Sequence, residues 1–157
     1  MLDAPTLLRE ARLRVTAPRV AVLTELADHP HADVERIRTL VRSRLGAVST
    51  QAIYDVLKAL TDAGLLRRVE PAGQPARYEL DPHDNHHHAV CRRCGAVSDI
   101  ACRSDDVPCM YPEDDRGYLI DQAEVIYWGV CPACRDPVPE SATTHTPPQP
   151  NTHIRRI

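Results

Sequence analysis

Two cysteine pairs, Cys91-Arg92-Arg93-Cys94 and Cys131-Pro132-Ala133-Cys134, constrain this chain more than any other feature. Each CxxC forms a knuckle that turns two thiolates toward one ion, and two knuckles make a closed tetrahedral S₄ cage, the geometry of structural zinc. Gly95 follows the first pair and permits the positive φ that the exit from a knuckle requires. Residues 95–130 separate the pairs, so the chain between them must run out and return as a hairpin or small sheet. The competing reading is two redox-active CxxC pairs or disulfides. A thiol oxidoreductase motif normally opens a helix near a βαβ unit, whereas both pairs here adjoin strand-like segments. All six cysteines lie between Cys91 and Cys134. The N-terminal stretch carries Asp3, Arg9, Glu10, Arg12 and Arg14 and has no apolar core, so it does not read as a signal peptide. A reducing, cytoplasmic setting is therefore expected, in which paired thiols mean metal more often than disulfide. Cys102 and Cys109 fit no knuckle and read as small buried hydrophobes, or as a thiol pair that oxidises.

Charge divides the chain. Residues 1–80 hold 12 Arg and Lys against 10 Asp and Glu, whereas residues 81–157 hold 7 against 12, which together give the net charge of −3. A uniform basic coat is excluded; a local basic face is not. With aromatics at 4% and no Phe, any core must come from Leu, Val, Ile and Ala. No run of about 18 apolar residues is present, so no membrane span is expected. These shifts divide the chain into residues 1–82, residues 83–136 and a tail, residues 137–157, rich in Pro, Thr and Ser and expected to be disordered.

The first unit reads as helices followed by a hairpin. Thr6 is placed to cap a short helix through about Leu13. Thr16 precedes a second, with Pro18 just inside its start, where a missing N–H costs nothing. A third runs from about Asp33 to Gly46, with Val34, Ile37, Leu40 and Val41 at helical spacing. Ser49 caps a fourth, whose apolar residues Ile53, Val56, Leu57 and Leu60 fall at i, i+3, i+4, i+7, and Gly64 ends it. Leu65–Val69 and Arg77–Leu80 then flank a turn at Pro71-Ala72-Gly73-Gln74. Helices followed by a two-stranded hairpin are the plan of a winged helix. The opposite face of the fourth helix carries Gln51, Tyr54, Asp55 and Lys58, types that bond base edges and phosphates in a major groove. The same face reads equally well as the solvated side of an amphipathic helix.

The second unit reads as strands at His87–Val90, Ala96–Ile100 and Leu119–Val130, with at most a broken helix across the prolines Pro108 and Pro112. His86 and His88 alternate onto one strand face and His87 onto the other. With Glu79 before and Asp99 after, they make a mixed N/O donor set that suits Fe(II), Mn(II), Zn(II) or Ni(II) better than an S₄ cage does. A merely solvated histidine run is the alternative.

Several motifs in register carry a resemblance. Arg14-Val15-Thr16-Ala17-Pro18-Arg19, Ser49-Thr50-Gln51-Ala52-Ile53-Tyr54, Arg77-Tyr78-Glu79-Leu80, the stretch from His86 to Gly95 and Tyr127-Trp128-Gly129-Val130-Cys131 with Cys134 together resemble the ferric uptake regulator family. They resemble in particular its branch that represses catalase-peroxidase genes in response to iron and peroxide. The resemblance implies a mixed α/β (α+β) fold, with an N-terminal winged helix-turn-helix and a C-terminal three-stranded α/β dimerisation domain. It implies structural Zn(II) on Cys91, Cys94, Cys131 and Cys134, and a regulatory metal on His29, Glu79, His86, His88 and Asp99, with His31 a near neighbour of His29. Fe(II) is the regulatory ion implied, with Mn(II) or Zn(II) able to substitute. Arg14, Arg19, Ser49, Thr50, Gln51, Tyr54 and Lys58 would contact DNA, and a homodimer would read a pseudo-palindromic double-stranded operator. Peroxide would oxidise histidine ligands, here His29 and His86, with Cys102 and Cys109 as the alternative sensor.

The chain departs from the family at Asp55, where relatives often carry Arg or Asn, and at Asn85 and Ala123, where a further metal site of some members needs ligands. A zinc- or nickel-responsive repressor has the same ligand types. A zinc-stabilised interaction module without a DNA ligand is the reading from another class.

Overall fold

A computed structural model describes residues 2–81, 83–84, 86–101, 112–120 and 123–135. The leftover cysteines Cys102 and Cys109 and the tail at 137–157 lie outside the described residues.

Four helices come first: α1 (Ala4–Glu10), α2 (Ala17–Asp28), α3 (Val34–Leu45) and α4 (Thr50–Asp62). The cap of α1 is Asp3, not Thr6. Its carboxylate accepts from the Thr6 backbone N–H at 3.2 Å and from the Thr6 hydroxyl at 2.7 Å, and an ionised acceptor beats a hydroxyl at a helix N-terminus. The helix also ends earlier than Leu13, at Glu10, where Arg12 turns to a positive φ. Thr16 stands at the N-cap of α2 without a side-chain bond. Asp33 and Ser49 cap α3 and α4 by accepting from the N–H groups of Arg36 and Ala52. Gly64 follows α4 at φ +70°, the left-handed C′ position its sequence foretold.

The helices and hairpin enclose one apolar core. Leu8, Val22, Leu23, Leu26, Ile37, Val41, Ile53, Leu57, Leu60 and Leu66 are almost wholly buried within it. The four apolar residues of α4 face this core, each contributing about 1.5–3 kcal/mol by burial. That leaves Gln51, Tyr54, Asp55 and Lys58 outside. The hairpin is β2 (Leu66–Val69) with β3 (Arg77–Leu80), and Gly73, at φ +75°, makes the turn between them. One strand is unforeseen. β1 (Ala32–Asp33) pairs antiparallel with the free edge of β3, giving a sheet of order β1-β3-β2.

The second unit is a separate sheet of order β5-β4-β6, made of β4 (His86–Cys91), β5 (Val97–Ala101) and β6 (Ile126–Gly129). β5 runs antiparallel to β4, and β6 parallel. The third strand is much shorter than the expected Leu119–Val130. A strand requires a hydrogen-bonding partner, and the ladder with β4 begins only at His88↔Ile126. Upstream, Leu119 is almost fully exposed. The described part of the proline-bearing segment, residues 112–117, contains no helix. No helix among the described residues is long and apolar enough to cross a membrane.

Candidate metal centres and nucleic-acid interface

The two CxxC knuckles meet at one corner of the second sheet. Cys91 ends β4 and Cys131 follows β6, and parallel pairing of these strands through Cys91↔Gly129 carries the second knuckle to the first. The four Sγ atoms lie within 4.8 Å of one another, with Cys94 and Cys131 3.7 Å apart. Four thiolates about 2.3 Å from a central zinc stand about 3.8 Å apart, so the spacing fits a tetrahedral ion. No disulfide joins them; all four are free thiols. Backbone N–H groups of Cys131 and Cys94 point at Cys91 and pull its thiol down to about 6. Cys134, surrounded by the thiols of Cys94 and Cys131, is pushed up to about 12. Four thiolates crowded this closely need a cation between them, which a dication supplies. Gly95 sits at φ +71°. A Cβ there would fall 3.1 Å from Gln74 Oε1, so the glycine serves both the knuckle and its close approach to the wing. Arg92 stacks 5.2 Å above the Trp128 ring and ties the flanks together.

A second cluster lies between the two sheets. His88 and Asp99 are directly opposed on β4 and β5, and His86, two residues before His88, shares their face while His87 takes the other. From the first sheet comes Glu79, on the central strand β3 and almost fully buried. Continuing the β1–β3 register one residue beyond Ala32↔Tyr78 sets His31 opposite Glu79. His31 Nε2 is 2.6 Å from Glu79 Oε2 and 2.8 Å from Asp99 Oδ1. His88 Nε2 lies 3.2 Å and His86 Nε2 3.1 Å from Glu79 Oε1. One donor atom from each of His31, Glu79, His88 and Asp99 falls within a 4.8 Å group. His86 adjoins it, its other nitrogen 2.5 Å from Asp84 Oδ1.

The N-terminal histidine of this cluster is His31, not His29. His29 is the C-cap of α2 and is exposed. The chain then turns through Pro30, and His31 adopts φ +59°, a left-handed conformation costing a non-glycine residue about 1–2 kcal/mol. The turn buries His31 and starts β1. Strain held at a buried, charged position marks a residue fixed by its surroundings. Residue type and donor chemistry do not choose between the two histidines, because the choice depends on β1 pairing with β3, a contact between segments more than 40 residues apart. The local hint is Pro30, which confines His29 to extended backbone and ends α2 there.

The electrostatics of the cluster suit a cation. Burial alone raises the pKa of Glu79, yet the facing His31 and His88 overcome it and hold the carboxyl far below its usual range. Burial lowers His31, but the carboxylates of Glu79 and Asp99 carry it above its usual value. His86 is likewise raised, by Asp84 and Glu79 against burial. His31 Nε2 lies close to two carboxylates, yet is buried without a partner in hydrogen-bonding geometry. A nitrogen directed between two carboxylates is placed as a metal ligand would be. The donor chemistry therefore fits a divalent ion with N/O preference.

The polar face of α4 is open. Ser49, Thr50, Gln51, Tyr54 and Lys58 are all exposed. Gln51 donates to Asp55 at 2.8 Å, and Lys58 pairs with Asp62 at 2.5 Å. Tyr54, Lys58, Thr61, Asp62, Arg68 and Tyr78 line a groove of about 240 Å³ between α4 and the hairpin. Arg19 donates to the Arg14 carbonyl at 2.8 Å, at the start of α2. Arg67, absent from the sequence-based set, reaches from β2 into the His86 side of the second cluster, with its Nη1 3.2 Å from His86 Nδ1.

Residues 10–112 match the model of the ferric uptake regulator family. Transcriptional regulator FurA of Mycobacterium tuberculosis is 57% identical over 127 residues, covering 81% of this chain and 86% of the relative. Ferric uptake regulation protein 1 of Mycolicibacterium fortuitum is 51% identical over 135 residues, covering 86% and 84%. Among solved structures, the ferric uptake regulator of Pseudomonas aeruginosa with manganese superposes at a TM-score of 0.64 with 26% identity, covering 83% of this chain and 99% of that one. Two short sheets, a helical head with its wing, a Cys₄ corner and a His/Glu/Asp cluster are thus found in a chain whose sequence agrees with them: it belongs to the ferric uptake regulator family of metal-responsive transcriptional regulators, which are not enzymes.

Proposed function

We propose that this regulator is an Fe(II)-dependent repressor, of the branch relieved by peroxide, that binds a pseudo-palindromic operator as a homodimer. In this reading residues 1–82 are the DNA-reading unit and residues 83–136 the dimerisation unit. Cys91, Cys94, Cys131 and Cys134 hold structural Zn(II), and His31, Glu79, His86, His88 and Asp99 hold the regulatory ion. One observation carries it: the donors of the second cluster come from both units, His31 and Glu79 from the first and His86, His88 and Asp99 from the second. An ion shared between two bodies favours the arrangement that brings its ligands together, by its differential affinity for that arrangement. Fixing one unit on the other sets the spacing of the two α4 helices in a dimer, and that spacing must match two half-sites. Iron(II) held by His31, Glu79, His86, His88 and Asp99 would supply electrons to peroxide, and the oxidant so formed would meet the imidazoles of its own ligands first.

Operator binding measured with Fe(II), Mn(II) and Zn(II), before and after peroxide, tests the reading. Mn(II) and Fe(II) should both activate, and only the Fe(II) protein should release DNA, with a mass gain of one oxygen on a peptide containing His31 or His86. Equal peroxide loss with every metal, or release with both peptides unmodified, refutes histidine-based sensing. A repressor activated by Zn(II) or Ni(II) alone would establish the metal-homeostasis reading instead.

The DNA interface is tested separately. Arg19→Ala and Lys58→Ala should each weaken binding and lower the salt slope by about one, the loss of one phosphate contact. An unchanged slope in Lys58→Ala would assign α4 a solvated rather than a DNA-reading face, and an unchanged slope in Arg19→Ala would do the same for the start of α2.

A further inference from the structure

Arg67 reaches the second cluster without belonging to its donor set, and its position is unusual. It stands opposite Glu79 on β2, so the central carboxylate of the second cluster has Arg67 on one side and His31 on the other. Its Nη1 lies 3.2 Å and 3.3 Å from the two ring nitrogens of His86. Its Nη2 donates to Asp81 Oδ1 at 3.1 Å and to the Asp84 carbonyl at 3.2 Å. The side chain is about three-quarters buried. It therefore spans β2, the connection between the two sheets and the first residue of β4. A recess of about 60 Å³ lined by Arg67, Arg68, His86, His88, Ala123 and Glu124 opens beside it.

We infer that Arg67 is a built-in competitor of the regulatory ion, a threshold-setting residue whose guanidinium charge, held against the His86 ring, weakens the hold of the cluster on a divalent cation. The reasoning is chemical. Arg67 Nη1 is nearly equidistant from the two ring nitrogens of His86, so it lies over the imidazole face rather than at the Nε2 lone pair, and it sets a fixed positive charge beside the nitrogen that faces Glu79. A guanidinium keeps its charge at every relevant pH, so Arg67 cannot relieve this repulsion by losing a proton. Asp81 holds the guanidinium in this place, and the recess beside it leaves the side chain room to shift away from a bound cation. The same residue then links metal uptake to the connection between the units, since Arg67 holds Asp81 and the Asp84 carbonyl at the same time as His86. This rests on the reading of the cluster as a divalent-cation site.

The test is Mn(II) affinity of the zinc-loaded protein, read as free Mn(II) by electron paramagnetic resonance, for wild type, Arg67→Met and Arg67→Lys. Arg67→Met should bind about tenfold more tightly, the factor given by repulsion between a guanidinium and a dication roughly 6 Å apart in water. Arg67→Lys, which keeps the charge, should stay within about twofold of wild type by the same argument. The operator should correspondingly be occupied at lower Mn(II) in Arg67→Met. A residue that only braces the connection predicts the opposite, weaker Mn(II) binding in both variants, and that result, or unchanged affinity in Arg67→Met, overturns the inference. Circular dichroism checks folding; should Arg67→Met be impaired, Arg67→Gln, which can still bond Asp81, is measured in its place and read by the same criteria. A wild-type protein that takes up no Mn(II) beyond its zinc would refute the cation site itself, a failure distinct from that of Arg67's role.

Discussion

Replacing Cys131 with serine should strip the chain of zinc and unfold its second sheet while leaving the helical head intact. The asymmetry follows from where apolar burial lies. The core cluster is built from residues of the first unit, from Ala4 to Tyr78. In the second sheet the described apolar residues that are fully buried are Val90 and Cys91. β6 contributes a four-residue parallel ladder to β4, too little to hold itself in place against chain entropy. The knuckles close that ladder at its open end, with Cys91 on one strand and Cys131 just beyond the other. Structural zinc in small domains contributes about 10–16 kcal/mol of apparent folding free energy, so losing one of four thiolates removes more stability than such a sheet has to spare. Metal analysis should show zinc falling from one per chain to near zero. Amide exchange should then reach the unprotected rate across β4 and β6 and stay slow in α2 and α4. Protection in β4 and β6 that survives the loss of zinc would show that the sheet stands without it. Redox-active CxxC pairs predict that survival, and also a disulfide in the oxidised protein.

How much of this was readable beforehand depended on whether the determining contact was local. The four helices, the cap at Ser49 and the left-handed Gly64 follow from spacing and short side chains within one turn, and all are found. The face shared by His86 and His88 follows from strand alternation, and the Cys₄ corner from the two knuckle spacings. What escaped needed a partner distant in sequence. β1 is two residues long and exists only because β3 offers a free edge. Asp3 replaced Thr6 as the cap because both lie at permitted positions and the ionised acceptor is stronger. Leu119–Val125 reads as strand by composition, but the ladder with β4 starts only at Ile126, with the Val125 carbonyl accepting from the His88 N–H just before it. Arg67 was hidden for the same reason: its role depends on lying opposite Glu79 and beside His86, 19 residues further on.

His31 is where that limit has its largest functional consequence, and a pair of alanine variants separates it from its neighbour. His31→Ala should abolish metal-dependent operator binding, whereas His29→Ala should leave it within about twofold. A residue that merely orients a ligand is worth roughly 10–100-fold in metal affinity, so deleting a ligand should cost on the order of 100-fold or more. The effect on DNA should exceed the effect on affinity. Of the donors from the first unit, His31 and Glu79, only Glu79 would remain, while His86, His88 and Asp99 all sit on the second sheet. An ion held almost entirely by one unit distinguishes poorly between the two arrangements, and a ligand without differential affinity shifts no equilibrium however tightly it binds. His31→Ala should therefore respond weakly even at Mn(II) concentrations high enough to fill its cluster, which is the signature of lost coupling rather than lost affinity. His29 caps α2 from an exposed position and belongs to neither donor group, so the His29→Ala protein should bind operator with the Mn(II) dependence of wild type. The measurement is operator binding against Mn(II) for the three proteins, with bound metal counted in parallel. Full activation of His31→Ala at saturating metal, or loss of activation in His29→Ala, would place the joint between the units elsewhere.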